Sequence, residues 1–398
     1  MSEQTASEIG VTHVQPRDRQ LDLLYSETET ELRAAVRDVL ADKAGWRDVL
    51  ARTETAETYD TGLWRTLAAE VGVAGLLIPE SMGGAGAGYR EAAVVAEEVG
   101  RSIAPVPFLG SAVVGTTALL SAGDTELLTE LAPGSTTVAL AVTFAAGPGK
   151  VPAPTVRIEG AHPGDPADTY RVSGQVLGVA DALPADVLLV PADGVPYGLY
   201  AVRVADAGVS TAPVVSLDQT RQLCDVTLAG APARRVAAGA AAKAAVGAAL
   251  LAGAGVLASE QFGLAERALE ITVAYVQERR QFARPIGGFQ AIKHRLADLW
   301  VAVTQARAAA RNAANGLVND NGTETELAVA LAKAACSDTA LKAAQEMIQL
   351  HGGIGFTWEH PAHMFLKRAK ADSIGFGTAD AHRASLASLV NLPPPAAG

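Results

Sequence analysis

The residues with the clearest chemical potential lie in one segment, YVQERRQFARPIGGFQAIKHRLADLW. Its helical pattern ends in the cationic pair Arg279 and Arg280, and Gly287 and Gly288 lead into a new helix that begins near Phe289. Guanidinium groups and the free amides of a helix N-terminus both donate hydrogen bonds to negative charge. The spacing therefore predicts an anion site suited to a diphosphate. The alternative that it leaves open is a solvated charge run at a helix junction.

Metal and nucleophile chemistry is not predicted. His360 and His363 are spaced to share a helix face, but Pro361 lies between them and no Cys or Asp ligands cluster nearby in the sequence. A Gly-x-Ser-x-Gly pattern is absent from the sequence. The two cysteines, Cys224 and Cys336, lie far apart, and the N-terminus has no signal-peptide pattern. We therefore expect reduced thiols and a cytoplasmic protein.

The net charge limits the partners. The 398 residues carry a formal charge of −11, which repels nucleic acid and anionic lipid, so neither is an expected partner. The longest uncharged run, residues 244–259, is short for a bilayer span and is built from Ala and Gly. We interpret it as a buried helix.

The order of the elements is helices, strands and helices. Residues 1–24 are polar and are predicted to be disordered, and residues 25–135 show apolar positions every three or four residues. Short alternating runs over 136–237 predict an antiparallel β domain, and helical periodicity returns over 238–398. The fold class is therefore mainly α with a central β domain. The lack of strand–helix alternation argues against a doubly wound dinucleotide fold.

The segment with the cationic pair, together with IQLHGGIGFTWEHPAHMFLKRAKAD, strongly resembles the acyl-CoA dehydrogenase family. The resemblance covers nearly the whole chain and implies a C-terminal four-helix bundle and an FAD that is contacted across a subunit interface. Glycine in the second segment lets backbone approach the cofactor without a Cβ clash. The FAD-binding positions that the resemblance implies are Arg279, Phe282, Gln290, Gln349, Gly352, Gly353 and Thr378.

The resemblance breaks at the catalytic base. Family members remove a proton alpha to the thioester with a carboxylate of raised pKa, while a hydride leaves the beta carbon for flavin N5. The commonest members have a Glu directly before Gly-Thr, where this chain has Phe376, and a second group has it where this chain has Gly253. We leave the base unassigned. Two candidates remain, Asp380 and Glu260. Glu260 lies two turns beyond Gly253 on nearly the same helix face, and a helix-packing or hydrogen-bonding role is its alternative.

The flavin and acyl pockets also differ from the family pattern. Typical members place a Trp-x-Thr over the flavin, where this chain has Gly178 and Ala180. The acyl pocket is expected beside N-terminal helices such as the one that holds Glu97 and Glu98. Small residues around Gly253 indicate a roomy pocket.

Three functions remain open. The first is an FAD-dependent acyl-CoA dehydrogenase that oxidises a CoA thioester of a fatty acid or steroid side chain to the 2,3-enoyl product. The second is a subunit without a base, similar to actinobacterial chains of heteromeric dehydrogenases, that completes a partner's FAD site. The third is a flavin-dependent hydroxylase of the same fold. Expected partners are the acyl-CoA, an electron-transfer flavoprotein or similar acceptor, and either copies of this chain or a paralogous subunit.

Overall fold

The computed structural model describes residues 23–149, 151–160, 169–194 and 196–392. The start that the sequence predicts to be disordered, residues 1–24, lies outside the described residues except for its last two. Helices come first, strands second and helices last, as the sequence pattern predicts.

The N-terminal third of the chain is helical. Ser26 and Glu29 form a reciprocal capping box, and the carboxylates of Asp60 and Asp124 accept amide hydrogen bonds from the turns that follow them. The helices are α1 (Glu27–Lys43), α2 (Trp46–Thr53), α3 (Thr61–Thr66), α4 (Tyr89–Ser102), α5 (Thr116–Ala122) and α6 (Thr125–Leu131). A π-helical turn, Leu67–Val71, follows α3, and another, Phe108–Gly115, precedes α5.

The middle of the chain forms one seven-stranded sheet. Its strands are β1 (Val138–Leu140), β2 (Val156–Gly160), β3 (Thr169–Ala180), β4 (Val187–Asp193), β5 (Gly198–Arg203), β6 (Val209–Pro213) and β7 (Leu223–Ala238). Most pairings are antiparallel, but β1 and β2 each pair in parallel with β4. This detail differs from the expected all-antiparallel sheet, because side-chain alternation reveals a strand but not its direction, which the connections decide.

The C-terminal part is helical again. Three long helices, α7 (Gly239–Glu278), α8 (Gln290–Asn319) and α9 (Thr323–His351), pack side by side. Two shorter helices, α10 (Ala362–Asp372) and α11 (Ala379–Leu389), pack against α9. The described part of this domain therefore holds three long and two shorter helices, in keeping with the C-terminal helical domain that the resemblance implies.

Helix α7 forms the centre of the molecule. It has the length and hydropathy of a membrane span, but 61% of its most apolar window is buried, as in the core helix of a globular protein. It meets α4 at two glycines. A Cβ on Gly100 would lie 2.1 Å from the Glu260 carbonyl oxygen, and a Cβ on Gly263 would lie 2.0 Å from that of Glu97. Only glycine permits these backbones to come so close.

Candidate functional site

The predicted cofactor residues at the end of α7 lie on an exposed hairpin. Arg279 is the C-terminal cap of α7, and the short strands β8 (Arg280–Gln281) and β9 (Arg284–Pro285) follow it. The two turn residues, Phe282 and Ala283, have φ values of 50° and 64°. Such a turn normally takes Asn or Gly, so two residues with a Cβ are strained here. The Phe282 ring, 87% exposed, is thereby held out from the surface.

The other predicted residues of this group lie at the neighbouring helix ends. Gln290 is the first residue of α8, and Gln349 is exposed in the last turn of α9. Gly352 and Gly353 follow α9, and a Cβ on either would meet no atom within 4 Å. The Tyr275 ring of α7 stacks on the His351 ring of α9 at 4.2 Å between centroids, which fastens the two helix ends together. We name this surface the bundle end: Arg279, Phe282, Gln290, Gln349, Gly352 and Gly353.

Phe376 and Gly253, the two positions at which the family pattern places a base, are neighbours in space. A Cβ on Gly253 would lie 2.8 Å from Cζ and 2.9 Å from Cε1 of the Phe376 ring, closer than real Cβ contacts. The edge of the Phe376 ring also faces Phe144, at 5.5 Å between centroids. The expectation of a roomy pocket at Gly253 is therefore wrong, because the ring occupies the space that the missing Cβ leaves.

The backbone around Phe376 is fixed by hydrogen bonds. Its amide donates to the Phe144 carbonyl at 2.8 Å, and His382 Nε2 lies 2.9 Å from its carbonyl oxygen. Its φ of 51° is in the left-handed region, which costs about 1–2 kcal/mol for a residue with a Cβ. Thr378 lies in the same turn, exposed, and its hydroxyl caps α11 by accepting from the Ala381 amide.

A cavity of about 20 Å³ borders Phe376, which is room for about one water molecule. Apolar side chains line most of it, and Ala180, one of the two positions expected over the flavin, lies in its wall. Its charged lining residues in the described chain are Asp181 and Arg221. Asp181 accepts from the Tyr59 hydroxyl at 2.6 Å and from the Gly110 amide at 2.8 Å.

Sequence reasoning missed Asp181 and Arg221. Neither belongs to a motif, and only tertiary packing brings both to Phe376. The available signal for Asp181 was its place directly after Ala180, a position that the resemblance puts at the flavin.

Glu260, a candidate base, is instead part of a buried ion-pair cluster. Arg221 donates to both of its carboxylate oxygens at 2.6 Å, and Arg368 donates at 2.9 Å. Burial opposes the charge, but the two guanidinium groups hold the pKa of Glu260 below its ordinary value. Burial and the charge of Glu260 raise the pKa of Asp372 to about 7. Glu260 thus has the hydrogen-bonding role that the sequence left as the alternative.

The remaining sequence candidates lie away from Phe376. Asp380 is exposed and pairs with Arg383 at 3.0 Å. Tyr25, just before α1, donates to Glu97, and Arg37 of α1 donates to Glu98. The acyl pocket expected beside α4, which holds both carboxylates, remains a prediction, and neither carboxylate lines the cavity beside Phe376.

Two histidines considered as metal ligands have aromatic neighbours. The His360 ring packs on the His351 ring, and the His363 ring packs edge-on against Trp358. Burial lowers the pKa of His360 to about 4. No group of three or more His, Cys, Asp or Glu side chains within the described ranges is arranged to hold a metal.

The predicted cofactor residues form two separate groups. Gly253, which touches Phe376, and Arg279 are about 39 Å apart along α7, at 1.5 Å per residue. That is longer than one dinucleotide. One chain therefore cannot place both Thr378 and the bundle end against the same cofactor.

The bundle end has the features of a diphosphate site. Arg279 is exposed and forms no ion pair with any described residue. The N-terminus of α8 lies just beyond the hairpin, and the first amides of a helix have no partner within it. The open backbone at Gly352 and Gly353 leaves room for a close approach. These residues fit the pyrophosphate part of FAD.

Comparison with known proteins decides the family. The family model for the acyl-CoA dehydrogenase N-terminal domain matches residues 26–137, and that for the C-terminal domain matches residues 243–390. The acyl-CoA dehydrogenase IpdE2 of Mycobacterium tuberculosis is 36% identical over 345 residues, which are 86% of this chain and 91% of that protein. This chain belongs to the acyl-CoA dehydrogenase family.

Solved structures have the same fold. A variant of the Tcur3481–Tcur3483 steroid ACAD is 31% identical, with a TM-score of 0.79 over 92% of this chain and 98% of that one. The ChsE4–ChsE5 complex from Mycobacterium tuberculosis is 27% identical, with a TM-score of 0.81 over 94% of this chain and 100% of that one. The acyl-CoA dehydrogenase fold class that the sequence indicated is thus confirmed.

Proposed function

We propose that this chain is a subunit without a catalytic base in a heteromeric, FAD-dependent acyl-CoA dehydrogenase. Its bundle end holds the pyrophosphate of a cofactor whose flavin lies in a partner chain, and the partner supplies the carboxylate. The observation that carries the proposal is the Phe376 ring against Gly253, which leaves neither an acid group nor space at either base position.

The proposed reaction requires a positioned carboxylate, which neither base position of this chain supplies. Removal of the proton alpha to a thioester needs a positioned base, and a phenyl ring has no lone pair to accept it. The bound flavin would accept the hydride from the beta carbon. This chain contributes binding and orientation: Arg279 neutralises phosphate charge, Gln290 and the α8 amides donate hydrogen bonds, and Gly352 lets backbone come close.

The surface next to Phe376 also suits CoA poorly. A groove of about 710 Å³ runs along the first half of α7 and reaches His382, whose ring lies at the Phe376 carbonyl. Asp320 and Glu326 line it, and its described lining residues include no Lys or Arg. A ligand with several phosphates gains no electrostatic attraction there. This favours a partner's pocket as the place where the thioester reacts.

The similar structures support the two-chain arrangement. One is a complex of two different chains, ChsE4 and ChsE5, and another is named a steroid ACAD. We accordingly propose a CoA thioester of a steroid side chain or fatty acid as the substrate, a 2,3-enoyl-CoA as the product, and an electron-transfer flavoprotein or similar acceptor for the electrons.

The test compares this chain alone with this chain co-expressed with a paralogue that has Glu before its Gly-Thr. We expect no flavin absorbance alone, and in the complex a flavin spectrum that an acyl-CoA bleaches. Arg279→Ala should weaken the affinity of the complex for FAD by about tenfold or more, the effect of one charge-assisted contact of ~1.5 kcal/mol. Arg47→Ala, on the surface of α2, is the matched control. Flavin bound and bleached by the chain alone would reject the proposal.

Asp181 supports a second candidate, a dehydrogenase that works alone. It is the carboxylate among the described residues lining the cavity beside Phe376. Both of its oxygens already accept hydrogen bonds, which disfavours this role. In this case the isolated chain would bind FAD, acyl-CoA would bleach it, and Asp181→Asn would abolish the bleaching while the FAD content remained.

A further inference from the structure

Lys333 is a buried charge that the proposed function does not use. It lies in the middle of α9 and has no exposed surface. Burying an ammonium group is costly unless all of its donors find partners. The groups that accept hydrogen bonds from Lys333 therefore indicate its role.

The partners of Lys333 lie on both sides of the turn that carries Phe376. Its Nζ donates to the carbonyl of Asp372 at 3.0 Å and to the carbonyl of Gly377 at 3.3 Å. The third hydrogen bond goes to Ser337 Oγ, one turn along α9, at 2.9 Å. All three donors of the ammonium are thus used. Two of them join the end of α10 to the residue just before Thr378.

The turn needs such support because its backbone is strained. Phe376 has a φ of 51°, and Gly377, with a φ of 96°, follows it. Strained conformations persist only where the surroundings hold them. Phe144 and His382 bind the two polar groups of the Phe376 backbone, and Lys333 holds the residues on either side.

We propose that Lys333 is the positioning residue of the turn from Ser373 to Thr378, which it holds in the conformation that seats the Phe376 ring against Gly253. The ammonium acts from inside the bundle and would not touch substrate or cofactor. The closure of the turn does not depend on the proposed function, and it can be measured in the chain alone.

The charged and titratable groups around Lys333 come from three elements. They are Asp372 at the end of α10, His382 on α11, and Cys336 and Asp338 on α9. Burial lowers the pKa of Lys333 to about 8, although the negative charge of Asp372 acts to raise it. Loss of the proton removes the positive charge that strengthens the hydrogen bonds to the two carbonyls. The turn should therefore loosen as the pH rises through this value.

The experiment is amide hydrogen exchange of the full-length chain, read in a peptide spanning residues 373–381. Lys333→Met, which keeps the length of the side chain, should raise exchange there by about tenfold or more. A peptide from α4 should change much less. Equal exchange in wild type and variant, or an equal rise throughout the chain, would overturn the proposal.

A second measurement needs only the wild-type protein. Corrected for intrinsic rates, protection of the 373–381 peptide should fall between about pH 7 and about pH 9, on either side of the lysine pKa. In Lys333→Met this fall should be much smaller, since of Lys333 and Asp372 only Asp372, whose pKa is raised to about 7, still titrates. An equal fall with pH in both proteins would contradict the role of Lys333. Neither readout involves flavin or a partner chain, so the outcome is independent of the proposed function.

Discussion

The Phe376 ring packs directly against the position that a Cβ on Gly253 would occupy, with its Cζ 2.8 Å from that position. The two residues are more than a hundred positions apart in sequence, and in other family members each place can hold the base. In this chain Gly253 has no side chain, and the ring of Phe376 fills the space beside it. As a result, an apolar contact occupies the place where other family members can have the catalytic carboxylate.

Gly253→Ala should destabilise the protein by about 1–3 kcal/mol, because the ring must move to admit a methyl group. In a Phe376→Leu background the same change should cost less, since the ring atoms that it meets are gone. Urea unfolding of the four proteins gives the coupling energy. Gly247→Ala, on the same helix with no atom near its Cβ, is the control and should stabilise by about 0.5–1 kcal/mol. Additive effects of the first pair would contradict the contact.

Glu260→Gln should destabilise by about 3 kcal/mol, because it removes the buried carboxylate closest to both Arg221 and Arg368 and leaves only their longer pairs with Asp218 and Asp372. Thermal unfolding at neutral pH is the measurement. Glu130→Gln is the matched control, since Glu130 is about one-third exposed and pairs with the half-exposed Arg203. That change should cost ~1 kcal/mol or less. If both variants unfold at the same temperature, the buried ion-pair cluster contributes no more to the stability of the protein than a surface ion pair does.

Glu97→Gln should remove a dependence of stability on pH. Burial raises the pKa of Glu97 from 4.5 to about 7. Its contribution to the free energy of unfolding is therefore full below pH 4.5 and is lost as the pH rises through about 7. Glutamine cannot ionise, so the variant should gain stability relative to wild type across that window and hold a constant difference above it. Denaturant unfolding at a series of pH values measures the difference, and a pH-independent difference would refute the raised pKa.

Gly263→Ala should destabilise the protein by about 3 kcal/mol or prevent folding, because a Cβ there would lie 2.0 Å from the Glu97 carbonyl oxygen. A backbone oxygen inside a helix cannot move aside as a flexible side chain can. The soluble yield and the thermal unfolding temperature report the effect, with Gly247→Ala again as the control. A variant as stable as the wild type would show that α4 and α7 can separate without cost.

The helix, strand and helix order was predictable because each part of the chain has a clear periodicity. The position of the Phe376 ring was not. Gly253 suggested space, and only the packing of the turn after α10 onto α7 shows that the space is filled. The neighbours of Glu97 and Glu260 were equally hidden, since a buried carboxylate in a helical pattern looks the same whichever cation it meets. The cofactor assignments at the bundle end remain predictions.

The length of α7 has a genetic consequence. Under the proposed function, the phosphate-binding Arg279 lies at the C-terminal end of α7, and the pocket that Phe376 fills lies about 39 Å away along the same helix. A substitution near Arg279 would then reduce activity at the active site of the partner chain, which a different gene encodes. Two such genes are expected to be inherited and lost together, because neither product alone completes a reaction centre.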